Sequence, residues 1–456
     1  MFTKGIRMKL SLTFVFLILL CALSVSAPAA DNGNWYTSYF GSEDIAYRGE
    51  AKPLHRVKVT LVNKLDFDRT ECPVTIRRID MPLADNYSEW ITVVDPDKIP
   101  HEREENGAYL LNQLDDIDKD GIWDELFFMV DVKARETKTV YVYIGRNMTD
   151  EERHYTHAEI GMYGKHVMPW WESEHIGWKF WYADGADMYG KREAKLVANV
   201  MDTFNYGHNT PYSVGSDIMW VRSTFGAGGV CLFEHSALPD SLSRPRFSPF
   251  KDSGAFENTR YAYHVVVNGP VRSIIRAHTM NWRTGSGSYE MEQYLTSYKN
   301  KSYYTCKTNF TEFFPEAPGL AFGAGIRRLE NESLYYQDGN IVITGTNDLR
   351  SYITPNEGDP DLKEGVKEFL GIALTVKDGY SPKFHHTMKF GENLTFRLPA
   401  TDDLSFEFMA FGGWSEGLVN STAEEFKDYV VIQAKEYNNP LVIGKLTVEE
   451  RPEEEE

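Results

Sequence analysis

Alternating hydrophobic and polar positions, the pattern of half-buried β-strands, dominate this chain. These segments are rich in β-branched and aromatic residues and are separated by Gly, Pro, Asn or Asp, which predicts long strands joined by turns. The clearest examples are RVKVTLVN, CPVTIRRID, ELFFMVDVKARETKTVYVYIG, RYAYHVVVNGPVRSIIRAHTM, SYEMEQYLTSY, NIVITGTN and LSFEFMAFGG. Long strands pair best in large antiparallel sheets, so the sequence predicts a mostly β fold.

One segment has a clear helical pattern, from Thr422 to about Tyr437. Ser421 can cap this helix, and Glu424 completes a capping box ahead of an apolar face that begins at Phe426. We therefore expect a C-terminal helix that packs on the β-sheets.

Composition along the chain predicts its division into domains. Residues 1–30 carry cations, then a short apolar run, then small residues, which is typical of a cleaved signal peptide. A charged, turn-rich stretch near 146–157 separates an N-terminal β-sandwich (31–150) from a larger β domain (151–447). The acidic residues 448–456 carry too many like charges to pack and are expected to be disordered. No other segment could cross a bilayer, so we expect a periplasmic or secreted protein.

The charge balance argues against nucleic acid as a partner. The 456 residues include 48 basic and 67 acidic side chains, a formal net charge of −19. The chain has no cluster of Lys and Arg of the kind that phosphate-backbone binding requires.

The segment DIDKDGIWDE, residues 116–125, concentrates carboxylates in one predicted loop. Asp116, Asp118 and Asp120 occupy alternate positions, Gly121 permits a sharp turn, and Asp124 follows. Oxygen ligands at such a spacing can wrap a Ca²⁺ ion, so we expect a structural calcium site formed by these four aspartates. The alternative is an acidic hairpin loop without an ion.

A tryptophan-rich run, PWWESEHIGWKFWYADGADMYGKR, covers residues 169–192. Aromatic faces stack on pyranose rings, and neighbouring charges bind hydroxyl or acidic groups, so carbohydrate is the expected ligand class. The alternative is that the aromatic residues fill the core of a sandwich. The residues expected to bind substrate here are Trp170, Trp171, Glu172 and Lys191.

A third segment, residues 205–238, combines histidine, tyrosine and arginine around the Gly-rich turn 226–229. We expect the turn to join two strands, so that one sheet face presents several of these side chains together. The candidate residues are His208, Tyr212, Asp217, Arg222 and His235, joined downstream by Arg246, Arg260 and Tyr261. Arginine suits an anionic sugar because it binds carboxylate and sulfate through paired hydrogen bonds.

The segments WESEHIGWKFWYADGADMYGKR, SVGSDIMWVRSTFGAGG, DIDKDGIWDELFF and NGPVRSIIRAHTMNW together resemble a bacterial domain-of-unknown-function family from polysaccharide-utilisation loci. The resemblance implies a galactose-mutarotase-like β-supersandwich for the large domain. Because the family includes a dehydratase that acts on ulvan oligosaccharides, it also implies activity on the non-reducing-end uronic acid of ulvan-type sulfated oligosaccharides.

The expected activity is therefore that of a carbon–oxygen lyase, an oligosaccharide dehydratase or β-eliminase without an organic cofactor. Elimination needs a base at C5, an acid at the leaving oxygen and a cation that neutralises the carboxylate. The candidates for the base are His208 or His235, for the acid Tyr212 or Tyr261, and for the cation Arg246 or Arg260.

Two other functions fit the same residues. The first is a non-catalytic glycan-binding protein. The second is a glycoside hydrolase that uses paired carboxylates, such as Glu172 with Asp187 or Glu234.

Overall fold

Antiparallel β-strands form most of the described part of this protein. The computed structural model describes residues 55–84, 91–98, 109–144, 153–163, 166–181, 184–197, 214–219, 221–235, 238, 240–245, 259–316, 318–348 and 368–451. All of them belong to one compact unit, Tyr36–Glu456. Within these residues the strands form five sheets, here called A to E.

Sheets A and B form the N-terminal β-sandwich around their own hydrophobic core. Sheet A contains β1 (His55–Val62), β3 (Ile91–Val94), β4 (Tyr109–Leu110), β7 (Thr137–Ile144), β26 (Val442–Ile443) and β27 (Thr447–Glu450). Sheet B contains β2 (Arg69–Arg77), β5 (Asn112–Asp115) and β6 (Glu125–Val132), in the order β2-β6-β5. A short 3-10 helix, Arg78–Asp80, follows β2.

Sheets C, D and E form the larger part. Sheet C has the order β12-β11-β10-β9-β8, with β8 (Thr156–Tyr163), β9 (His166–Ser173), β10 (Ile176–Trp181), β11 (Gly185–Lys191) and β12 (Gly215–Asp217). Sheet D contains β13 (Gly229–Phe233), β14 (Leu242–Ser243), β19 (Ala321–Arg327), β23 (Lys383–Thr387) and β24 (Asn393–Pro399). Sheet E contains β15 (Arg260–Asn268), β16 (Arg272–Thr284), β17 (Gly287–Tyr298), β18 (Tyr303–Pro315), β20 (Glu332–Asp338), β21 (Ile341–Thr346), β22 (Leu370–Val376) and β25 (Ser405–Trp414). A second 3-10 helix is Asp378–Tyr380.

Sheets C and D pack against sheet E through one shared core. The rings of Trp171 and Trp178 in sheet C lie 5.2 and 4.9 Å from the ring of Tyr304 in β18. The ring of Phe322 in sheet D lies 5.2 Å from that of Phe406 in β25. The predicted fold class, an N-terminal β-sandwich plus a large β-supersandwich with a C-terminal helix, is confirmed.

The C-terminal helix, α1 (Ala423–Asn438), begins one residue later than the sequence predicted. Thr422 rather than Ser421 is the N-cap, and its hydroxyl accepts the backbone N–H of Glu425. Glu425 rather than Glu424 completes the capping box, because its carboxylate reaches back to the N-cap backbone. The helix packs on sheet E through Phe426. None of the helices in the described part of the chain is long and apolar enough to span a membrane.

The chain returns to the N-terminal sandwich after the helix. Both β26 and β27 pair with β1, with Val448 opposite Val57 and Glu449 opposite Arg56. The expectation of a disordered tail from residue 448 is therefore wrong for 448–450, because backbone pairing and an ion pair between Arg56 and Glu449 at 2.8 Å order this segment. The division between the domains 31–150 and 151–447 stays a prediction, and residues 1–30 lie outside the described residues.

Candidate functional site

Sheet C presents a polar and aromatic face opposite to the face that enters the core. Side chains alternate between the two faces of a strand, so Trp171, Trp178 and Met188 face the core. The opposite face, here called the outer face of sheet C, carries Trp170, Glu172, Lys179, Asp187, Tyr189 and Lys191. These six side chains are all at most 2% exposed. Charged side chains at this depth must be paired with one another.

Lys179 lies at the centre of the outer face. Its backbone pairs with Trp170 on β9 and Asp187 on β11. Its ammonium donates a hydrogen bond to the hydroxyl of Tyr189 and lies 3.4 Å from Oδ2 of Asp187. The ammonium also lies about 5 Å from the ring centroids of Trp170, Trp181 and Tyr189. The lysine is thus held by one carboxylate, one phenol and three aromatic rings.

Asp187 is a buried carboxyl group with a raised pKa. Burial and the negative charge of Asp217 together raise its pKa from an ordinary 3.8 to about 6. The ammonium of Lys179 and hydrogen bonds from Nε1 of Trp181 (3.0 Å) and the N–H of Met188 (2.9 Å) oppose this rise. Asp217 lies on β12 opposite Tyr189, diagonal to Asp187. The carboxyl group can therefore exchange a proton near neutral pH.

Glu172 and Lys191 form a buried ion pair on the same face. The ammonium of Lys191 also donates to the carbonyls of Ser173 (2.5 Å) and Lys195 (2.8 Å). Burial alone raises the pKa of Glu172, but Lys191 and the bond from His157 outweigh burial and leave that pKa lowered. Both side chains are engaged with groups of the protein itself, and their role in substrate binding stays a prediction.

Of the two predicted tryptophan ligands, only Trp170 lies on the outer face. Trp171 is fully buried in the shared core, where its ring contacts Phe180 at 6.0 Å and Tyr304 at 5.2 Å. Because its ring packs between sheets C and E, the substrate-binding prediction for Trp171 is corrected to a packing role. Trp181 instead is half-buried and borders the Lys179 cluster.

The Gly-rich turn does not join two strands of one sheet. Gly226, at a left-handed φ of 59°, bridges to Ala186 and leads the chain from sheet C into sheet D. Asp217 on β12 and His235 after β13 therefore belong to different sheets, which corrects the expected hairpin. Local sequence cannot reveal this crossing, because it does not specify which strands pair with β12 and β13.

The remaining predicted residues that the structure describes are spread over β15 and two loops. His235 is exposed at the end of sheet D. Arg222 is exposed and lies 3.5 Å from Glu330. Arg260 is exposed and donates to the carbonyl of Thr259 at 3.0 Å. The hydroxyl of Tyr261 donates to the carbonyl of Pro245 at 2.5 Å. His208, Tyr212 and Arg246 lie outside the described residues.

The Asp-rich loop lies far along the chain from sheet C, between β5 and β6. One carboxylate oxygen from each of Asp116, Asp118 and Asp120 lies within 4.8 Å of the others. Asp124 instead accepts the backbone N–H of Ile117 at 2.7 Å, so its carboxylate shapes the loop. The three converging carboxylates keep a calcium site a prediction for this loop.

Sequence reasoning missed Lys179 and Tyr189. The signal was present, because Lys179 is a cation inside the otherwise apolar strand IGWKFW. Alternation along β11 places Asp187, Tyr189 and Lys191 on one face of that strand, and Lys179 lies on one face of β10. Only the pairing of these strands shows that the groups meet.

The chain belongs to the family described as domain of unknown function DUF4861, whose sequence profile matches residues 61–443. Two similar solved structures come from Enterococcus faecalis, an alpha-mannosidase of strain V583 and a protein in the glycosyl hydrolase family 38. Both are 11% identical to this chain with a TM-score of 0.44, and they cover 88% and 87% of it. The chain in turn covers 46% and 48% of those structures, about half of their length. A comparison with curated proteins found no match.

These comparisons correct the expected reaction class. The sequence predicted a carbon–oxygen lyase, but the two structures carry the titles of an alpha-mannosidase and a glycosyl hydrolase, and neither title names a lyase. The lyase assignment is therefore wrong on this comparison and is withdrawn.

Proposed function

We propose that this DUF4861 protein is an exported carbohydrate-active enzyme that hydrolyses a glycosidic bond at the outer face of sheet C. The observation that carries the proposal is the meeting of Asp187, Asp217 and Lys179 on one face beside the half-buried Trp181. The likeness to solved structures contributes only the fold.

Asp187 is the proton donor in this proposal. Its raised pKa keeps a fraction of the carboxyl group protonated near neutral pH, as a general acid requires. The proton passes to the glycosidic oxygen as the bond between that oxygen and the anomeric carbon breaks.

Asp217 is the second carboxyl group. Diagonal cross-strand neighbours have Cα atoms roughly 7 to 8 Å apart, which allows two carboxyl groups to flank one glycosidic bond. Asp217 accepts a proton from the water that attacks the anomeric carbon. One water is consumed, and the two products are saturated sugars.

The aromatic and cationic neighbours suit a sugar ligand. Trp181 offers a half-buried ring for stacking, and Nε1 of Trp170 is a buried donor without an acceptor in the described part of the chain. The ammonium of Lys179 favours an acidic sugar. This preference, together with the resemblance to the family from polysaccharide-utilisation loci, leads us to propose a uronate-containing or sulfated oligosaccharide as substrate.

The test is to incubate the purified protein with uronate-containing oligosaccharides in H₂¹⁸O and to weigh the products. Hydrolysis gives two saturated products, of which the one with the new reducing end carries one ¹⁸O. Asp187→Asn and Asp217→Asn should each lower the rate by about 100- to 10,000-fold. The control is Asp402→Asn, at an exposed position in the turn between β24 and β25, which should not change the rate.

Three results would count against the proposal. An ultraviolet-absorbing product without ¹⁸O would contradict hydrolysis. Full activity of Asp187→Asn would contradict the site. Binding without any product would favour the glycan-binding alternative.

A further inference from the structure

A cavity of about 410 Å³ lies where the N-terminal sandwich meets sheet E. It is lined on one side by β5 and the start of the Asp-rich loop, and on the other by the turn between β15 and β16. None of the residues proposed for catalysis lines it. Its volume lies in the range of roughly 300 to 1,000 Å³ that is usual for small-molecule sites.

The floor of this junction cavity is fixed by Gln113. Its Oε1 accepts the backbone N–H groups of Val271 (2.8 Å) and Arg272 (2.9 Å), and its Nε2 donates to Asp115 at 2.7 Å. Gly269 packs so closely that a Cβ there would lie 2.4 Å from the Gln113 side chain. The cavity is therefore formed before any ligand arrives.

The walls of the junction cavity offer both donors and acceptors. Asn112 uses its Nδ2 on the carbonyl of Leu110, which leaves its Oδ1 as an acceptor. Asn268 uses its Oδ1 on the N–H of Ala158, which leaves its Nδ2 as a donor. Within the described chain, the side chains of Lys119 and His154 take part in no hydrogen bond or ion pair, and both residues are exposed.

These groups define the chemistry of a ligand. An apolar molecule would bury polar groups without partners at a cost. Each hydroxyl group of a sugar donates one hydrogen bond and accepts others, so vicinal hydroxyls match an amide oxygen, an amide nitrogen and an ammonium side by side. Asp115 on the wall is already paired with Arg272, and Lys119 offsets Asp116, so the walls select no strongly charged ligand.

We propose that the junction cavity binds a single hydroxyl-rich sugar unit, as a second site separate from the outer face of sheet C. The sugar hydroxyls donate to Oδ1 of Asn112 and accept from Nδ2 of Asn268, with further hydrogen bonds to Lys119 and His154. No stacking platform lines the site among its described residues other than the His154 ring, so binding is weak and depends on these polar contacts.

The experiment uses hydrogen–deuterium exchange on the full chain carrying Asp187→Asn, so that catalysis cannot consume the probe. D-Glucose, D-mannose and D-glucuronate are tested at millimolar concentration. Amides of residues 112–119 and 266–271 should be protected by at least one of the two neutral sugars. Because the Asp187 site is disabled in every sample, failure here leaves the proposed hydrolase untouched.

Two variants make the result specific. His154→Ala and Lys119→Asn alter exposed positions, and asparagine tolerates the left-handed φ of 67° at residue 119. Each should weaken the protection about fivefold, the effect of one lost hydrogen bond. Asn309→Ala, on the distant β18, is the matched control and should change nothing. Absence of protection with both neutral sugars, even if D-glucuronate protects, would overturn the second site. Protection in both variants equal to that in the Asp187→Asn parent would overturn it as well.

Discussion

Asp115 and Glu125 face each other across the β5–β6 hairpin at the two ends of the Asp-rich loop, and both carboxylates bind Arg272 of sheet E. Each carboxylate oxygen lies 2.5 Å from the Arg272 guanidinium, which also stacks over the ring of Phe127 at 4.3 Å. One arginine thus closes the loop and fixes the N-terminal sandwich to the large domain.

Arg272→Met should destabilise the protein strongly. Removing the cation leaves Asp115 buried with Glu125 as a like charge beside it, which costs about 3 to 5 kcal/mol. Urea unfolding at neutral pH measures the free energy of unfolding. Arg276→Met, on the same strand but 31% exposed and 3.7 Å from Glu292, should cost less than about 1 kcal/mol. Equal losses of stability in the two variants would show that the buried ion pairs of Arg272 contribute no more than the exposed pair of Arg276.

Calcium should raise the melting temperature through the Asp-rich loop. The carboxylates of Asp116, Asp118 and Asp120 repel one another until a cation neutralises them. At a hundredfold excess over its Kd, Ca²⁺ would add about 2.7 kcal/mol of stability. The double variant Asp118→Asn/Asp120→Asn should abolish the increase, and Asp402→Asn should keep it. Identical melting curves with calcium and with a chelator would leave the loop as a plain hairpin.

Lys191→Met tests whether the Glu172–Lys191 pair is structural. The variant leaves the Glu172 carboxylate buried without its cation, so a loss of about 3 to 5 kcal/mol is expected. Lys195→Met removes a side chain that is 60% exposed and should be near neutral. A Lys191→Met protein that is stable but binds sugar more weakly would instead support the predicted substrate-binding role of Lys191.

His175 should make the protein less stable in mild acid. Burial, helped by the positive charges of Lys191 and Lys301 and opposed by Glu71, lowers its pKa from 6.5 to about 4. The unfolded state therefore binds the proton first, and stability falls as the pH drops from about 6.5 towards 4.

The size of the His175 effect can be measured by comparing unfolding at pH 7 and pH 5. The loss on acidification should be about 1 to 2 kcal/mol larger for the parent than for His175→Gln. His154→Gln, at an exposed site, should lose as much as the parent. If His175→Gln also follows the parent curve, this histidine does not stay neutral in the folded protein.

The hydrolytic activity should decline as the pH rises above about 6. Asp187 donates only when protonated, and its protonated fraction falls about tenfold per pH unit above its pKa. The dependence of kcat/KM on pH reports the pKa of this group in the free enzyme. An alkaline limb above pH 8 would assign the proton donor to another residue.

Much of the fold could be predicted from local sequence. The alternation in RVKVTLVN predicted β1, and the strand pattern from Arg260 to Met280 predicted β-structure where β15 and β16 lie. The C-terminal helix was also visible, with its cap displaced by one residue. Such features depend on neighbours a few positions away, and the sequence contains them completely.

The candidate site was only partly predictable. The tryptophan-rich run covers strands of sheet C, and Asp187 was one of the paired carboxylates considered. The sequence could not separate Trp170 from Trp171, because alternation assigns adjacent residues to opposite faces without saying which face is covered. Sheet E covers the face of Trp171, and that packing involves Tyr304, more than 130 positions away.

By itself, the sequence determined where strands, turns and the helix form, since period-2 patterns, glycines and caps act over a few residues. The tertiary structure alone decided which strands pair, that the chain crosses from sheet C to sheet D at Gly226, and that residues 447–450 join β1. It also decided that Lys179 meets Asp187 and Tyr189. These contacts join segments that are far apart in the sequence. The energy of each contact depends on which distant residue the packing of the sheets brings next to it.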